Sequence, residues 1–118
     1  MSVWKKVFRL LEENNIDTFP PAMQVGECKS PYVVIKHDGV SPMFGYTTEN
    51  VFTSVMCYVP HNQYTKLDDY VESIKEILAT IHPQVKPTGN ETPDFYDDDV
   101  KAHMRSIMYQ TRRRNQNL

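Results

Sequence analysis

Asp97, Asp98 and Asp99, with His103 just beyond them, place three carboxylates and an imidazole on one short stretch, and Arg112, Arg113 and Arg114 follow. Carboxylate and imidazole ligands can hold a divalent ion that activates water and clamps a phosphate, the chemistry of a metal-dependent nuclease. Adjacent side chains on an extended segment point to opposite sides, however, so contiguous aspartates do not converge on one ion. They read instead as a solvated acidic loop, and no metal site is expected. His37, His61, His82 and His103 are scattered, with no pair at ligand spacing and no His-Glu-x-x-His or nucleophile–histidine frame. His82, just before Pro83, is suited to the C-terminal end of a helix, a role that needs no catalysis. Cys57, between Met56 and Tyr58 in an apolar run, reads as a buried, inert thiol. No glycine-rich phosphate loop occurs. The expectation is a protein with no catalytic residues and no cofactor.

The arginine triplet is the strongest local charge. Sequence-reading nucleic-acid modules surround such charges with a docking helix or stacking aromatics, and here only Tyr109 is near. Residues 111–118 therefore read as a flexible basic tail for a partner, with at most non-specific contact with passing DNA. The chain as a whole does not favour polyanions: its 118 residues carry a formal net charge of -2, and its pI is near 6.0. Cys28 and Cys57 are too few for a disulfide framework or a zinc knuckle and read as free thiols in a reducing cytosol. Lys5, Lys6 and Arg9 interrupt the first apolar stretch, so neither a signal peptide nor a membrane span is expected there.

The elements that would position these groups follow from periodicity. With 40% apolar and 24% charged residues, the chain has the composition of one globular domain over residues 1–118. Val3, Val7, Leu10 and Leu11 share a face of a first helix, capped by Ser2 and running to about Asn15. A proline-bearing loop precedes "PYVVIKH", a strand, and Asp38-Gly39 with Pro42 marks a turn or long hairpin loop. "VFTSVMCYVP" is a second strand ended by Pro60. Thr65, with Asp68 three residues on, caps a second helix whose stripe runs through Leu67, Tyr70, Val71, Ile74, Ile77, Leu78 and Ile81 to Pro83. Residues 84–99 read as one long exposed loop, with room for a short strand at Val85. Residues 100–110 fit either period. A helix would align Val100, Met104, Ile107 and Met108, whereas a strand would add a needed member to the sheet, and the strand is favoured.

Together these predict an α+β fold: a small mixed or antiparallel sheet with two helices packed on one face. The second strand places Val51, Val55, Cys57 and Val59 on one side and Phe52, Met56 and Tyr58 on the other, so both sides are apolar. If the helices cover only one, the other needs another chain or the loop apolars around Pro20, Pro21, Met23, Met43 and Phe44. Phe52, Met56 and Tyr58 are thus the candidate subunit interface.

The order of elements, with "PYVVIKHDG" and "DDVKAHMRSIMYQTRRR" within it, resembles the tail terminator or tail-to-head joining family of tailed bacteriophages, of which the phage lambda terminator is a member. The resemblance spans nearly the whole chain and rests on element order rather than on a diagnostic motif. It implies a structural subunit that forms a ring, a hexamer by family type, on the finished tail tube. The ring stops tube elongation and presents the surface on which the head docks. It implies partners in the tail-tube and head-completion proteins, no membrane, no small-molecule substrate, and assembly in the bacterial host cytoplasm before residence at the head–tail junction. Strand phrases fall on Pro31 to His37 and Lys101 to Gln110. A neutral surface and a short first helix leave room for another connector component, an adaptor or stopper. The competing classes are a small nuclease using Asp97 to Asp99 with His103, and a nucleic-acid module using Arg112 to Arg114.

Overall fold

A computed structural model describes residues 3–23, 26–43 and 47–114. Two helices lie on one face of a mixed six-stranded sheet, the α+β arrangement expected from the sequence. The elements are α1 (Val3–Glu13), β1 (Thr18–Phe19), β2 (Tyr32–Met43), β3 (Thr48–Pro60), α2 (Leu67–Ala79), β4 (Lys86–Glu91), β5 (Phe95–Asp97) and β6 (Ala102–Arg114). The strand order is β1-β2-β3-β6-β4, with β5 also paired to β6. Among the described residues only the β1–β2 pairing is parallel.

The main core forms where the period-2 faces of β2, β3 and β6 meet the helical stripes. Val33, Ile35, Val55, Cys57, Val59 and Ile107 lie beneath Val7 and Leu11 of α1 and Leu67, Val71, Ile74 and Leu78 of α2. Trp4 fastens α1 to the sheet by donating its indole N–H to the Ile35 carbonyl at 2.9 Å. The carbonyl at this edge of β2 would otherwise lack a strand neighbour, since β1 pairs only Val33 and Val34.

Several boundaries differ from the sequence expectation. Ser2, expected as the first cap, lies outside the described residues, as does Phe44. Thr65 does not cap the second helix: α2 follows a 3-10 turn over Tyr64–Lys66 and has no side-chain cap, while Asp68 and Asp69 in its first turn complement the helix dipole. Asp38-Gly39 is a bulge inside β2 and not a turn. Gly39, at φ +105°, absorbs the irregularity, and pairing with β3 resumes at Val40↔Val51 and continues to Met43↔Thr48. Residues 84–99, expected as one loop, carry β4 and β5, because the outer edge of β6 offers backbone groups that these segments pair with.

Of residues 100–110, Val100 and Lys101 belong to the turn before β6, the rest resolve in favour of the strand, and the strand continues. β6 pairs with β3 without interruption from Ala102↔Pro60 to Arg114↔Thr48. The basic tail expected from residue 111 is therefore corrected for Arg112, Arg113 and Arg114, which are strand residues opposite Asn50, Glu49 and Thr48. The extension of β3 back to Thr48 supplies the ladder, and ladder pairing outweighs the weak strand preference of arginine. β3 and β6, each of 13 residues, span roughly 40 Å. α2, of equal count, covers only about 20 Å. The helix-covered core ends at Tyr109, and beyond it β2, β3 and β6 run on as a three-stranded arm.

Candidate functional site

The sheet face opposite the helices is built from cross-strand rows. Tyr32, Tyr58 and Met104 form one row; Val34, Met56 and Ser106 the next; Lys36, Ser54 and Met108 the third; Phe52 beside Gln110 follows. The first rows make a second, smaller core. The Tyr32 and Tyr58 rings stack at 4.8 Å, and Phe19 meets Tyr32 edge-on at 5.7 Å. Cys28, Ala102 and Val100 complete this cluster, and the Cys28 N–H donates to the Val100 carbonyl at 2.7 Å, tying the segment before β2 to the turn before β6. Burial pushes the phenols of Tyr32 and Tyr58 above their ordinary range. A recess of about 370 Å³ remains over Tyr32, Val34, Met56 and Tyr58, walled by Pro21, Ala22, Asp97 and Asp99.

The three candidate interface residues share this face, as their alternation requires, but they are not equivalent. Tyr58 is 7% exposed and belongs to the second core. Met56 packs at the margin of that core and stays half-buried. Phe52 is also half-buried, yet it belongs to neither core cluster, and the same holds for Met108 one row away. The chain's own segments thus cover one end of the face, and beyond Met56 the apolar side chains of Met108 and Phe52 continue along the arm, beside Ser54 and Lys36, which both bond Asp38, without a packed layer among the described residues.

The arm ends in polar groups. Alternation along β6 divides the arginine triplet: Arg112 and Arg114 belong to the uncovered face, and Arg113 to the other. There the Arg113 Nε donates to Glu49 Oε1 at 2.6 Å, which neutralises a carboxylate that is 8% exposed. Arg113 therefore has a structural partner within the chain.

Asp97, Asp98, Asp99 and His103 do not form one site. Asp97 ends β5, and its Oδ1 accepts the Asp99 N–H at 3.0 Å, shaping the turn into β6. Asp97 and Asp99 border the recess on the uncovered face, whereas His103 lies on the helix side, between Tyr64 and Tyr96 at 4.7 and 5.1 Å. Among the described residues no three His, Cys, Asp or Glu side chains are grouped to hold a metal ion. Cys57 is wholly buried in the main core, its thiol pushed up to about 12 by desolvation, and Cys28 is buried in the second core. Neither is poised as a nucleophile.

Two features had no signal in sequence pattern. Arg105, on the helix side of β6, pairs with Asp94 at 2.6 Å and with Asp68 of α2 at 2.5 Å, and Tyr64 donates its hydroxyl to Asp94 at 2.9 Å. An apolar cleft also opens between α2 and β4. No protein-family model and no curated protein matches this chain.

Proposed function

We propose that this protein is a structural assembly subunit that associates with further copies of itself through the sheet face opposite its helices. The observation that carries the reading is the half-covered face: the second core seals Tyr32, Tyr58 and Met104, while Met56, Met108 and Phe52 continue as an apolar strip on an arm that outruns the helices. Apolar area left without a packed layer on a sheet is favourably buried against another chain. Association through it between identical subunits gives closed rings or dimers when the rotation closes.

Within that class, the resemblance in element order supports a ring-forming tail terminator at the head–tail junction of a tailed phage or prophage. The ring acts by geometry: one surface matches the last layer of the tail tube, the opposite surface ends the repeat, and the head docks there. The separation of Asp97 and His103 onto opposite faces supports assembly over the nuclease reading. Electron microscopy of particles from a phage or prophage lacking the gene tests the assignment. Over-long tails without heads are expected. Tails of normal length carrying heads would overturn it.

A further inference from the structure

The cleft between α2 and β4 lies on the helix side of the sheet, away from the face on which the assembly reading rests. Its origin is local. Pro87 pairs with Tyr109 and Glu91 with Ile107, so β4 spends more residues than β6 between these two points and arches off the ladder. Gly89, at φ +90°, turns the arch, and Thr88 holds it by donating its hydroxyl to the Met108 carbonyl at 3.2 Å while accepting the Asn90 N–H at 3.1 Å. The arch stands off from Leu78, Ala79 and His82 and leaves a mainly apolar space of about 520 Å³ floored by Val85, Ile107 and Tyr109. Protein interiors rarely leave voids much larger than a water molecule, and a space of this size is typical of small-molecule sites.

A second observation points to a ligand. Tyr109 is 3% exposed, and among the described residues its hydroxyl has no hydrogen-bond partner. It is not sealed in like the Thr53 hydroxyl, which is buried without a partner in the facing position of β3. Because Tyr109 lines the cleft, this donor is left to water, and a ligand acceptor seated there takes the water's place. The mouth adds a charge argument. Lys75 of α2 bridges to Glu91 of β4 at 3.0 Å and to Glu72 at 3.6 Å, so two carboxylates accompany one ammonium and an anionic ligand is disfavoured.

The geometry points to a binding site in this cleft for a neutral, largely apolar small molecule, such as a bicyclic aromatic, that carries one carbonyl oxygen to accept the Tyr109 hydroxyl. The site holds the molecule and performs no reaction on it. The Lys75–Glu91 pair links the two walls across the mouth.

Two neutral probes separate the hydrogen bond from simple apolar burial: 2-acetylnaphthalene, which carries the carbonyl, and 2-ethylnaphthalene, which does not. Fluorescence titration of the full chain is expected to show saturable one-to-one binding, with the ketone about fivefold tighter. Tyr109→Phe should bring the two affinities together, and Ala79→Trp, an exposed wall position, should abolish both while leaving the melting temperature unchanged. Absence of saturable binding, or binding that survives Ala79→Trp, overturns the proposal. So does a change of oligomeric state in Ala79→Trp without probe binding, which would assign the cleft to a neighbouring chain's side chain.

Discussion

Arg105 on β6 donates its Nε hydrogen to Asp94 Oδ1 at 2.6 Å and an Nη2 hydrogen to Asp94 Oδ2 at 3.1 Å, a two-point clamp between the sheet and the segment joining β4 to β5. The same Nη2 reaches Asp68 in the first turn of α2, so one side chain, only 17% exposed, holds three parts of the fold together. Bidentate geometry and partial burial set this pair apart from an ordinary surface ion pair. Arg105→Ala is expected to cost about 2 kcal/mol, read as a lower urea midpoint.

The clamp also makes stability depend on acid. The Arg105 hydrogen bonds hold the Asp94 carboxyl below its ordinary range. A carboxylate whose folded-state pKa is depressed contributes stability that is present in full above its unfolded pKa and is lost as pH falls through the folded one. Urea midpoints taken between pH 7 and pH 3 should therefore fall more steeply for the native chain than for Asp94→Asn, which starts lower at pH 7. Parallel curves would show that Asp94 does not carry the acid sensitivity.

The two thiols should be silent until the fold opens. Desolvation moves the Cys57 thiol up to about 12, and burial raises Cys28 as well, whose S–H is donated to the Ser30 carbonyl. At pH 8 neither is expected to react with a disulfide reagent in the native state, and both should react in guanidinium. Rapid native labelling of either would contradict the burial that both cores assign.

The strip on the uncovered face gives the assembly reading its sharpest variant. Phe52→Asp places a charge on a half-buried side chain that neither core uses, so it should reduce self-association, measured by light scattering, at a cost to the monomer of no more than about 1 kcal/mol. Tyr58→Asp is the contrasting case. It buries a charge beneath the Tyr32 ring and should fail to fold. If Phe52→Asp leaves the association unchanged, copies do not meet through this strip.

What could be read from the sequence follows from which signals are local. The stripe of α2 and the β-branched runs of β2 and β3 are periodic, so their type, and the division of β3 between Val55 and Met56, needed no tertiary information. β4 could not be read the same way. Lys86–Glu91 is a largely exposed edge strand without apolar alternation, and its existence depends on the free side of β6. The arch over the cleft left only Gly89 as a trace. The Arg105 clamp joins residues 37 and 11 positions apart, a separation no window of sequence reveals. Among the interface candidates, alternation placed Phe52, Met56 and Tyr58 on the right face, but how far the segment before β2 reaches over that face decided which of them is covered.

The arginine triplet, read from sequence as three equivalent charges, should separate by face. Arg113 meets Glu49 at 2.6 Å, and Glu49 is 8% exposed, so Arg113→Ala leaves a mostly buried carboxylate without its cation. The penalty of an unpaired buried charge exceeds the gain of the pair itself. Arg113→Ala is expected to cost about 1–2 kcal/mol, partly recovered in Arg113→Ala with Glu49→Gln, because the double variant removes the charge along with its partner. Arg114, exposed at the end of β6 on the other face, should cost less than about 0.5 kcal/mol as Arg114→Ala. Denaturant titration of the native chain, Arg113→Ala, Glu49→Gln and the double variant measures the coupling directly, with Arg114→Ala as the comparison. Equal losses at Arg113 and Arg114 would mean that the Glu49 pair contributes nothing to holding the arm, and that both arginines remain free for another molecule.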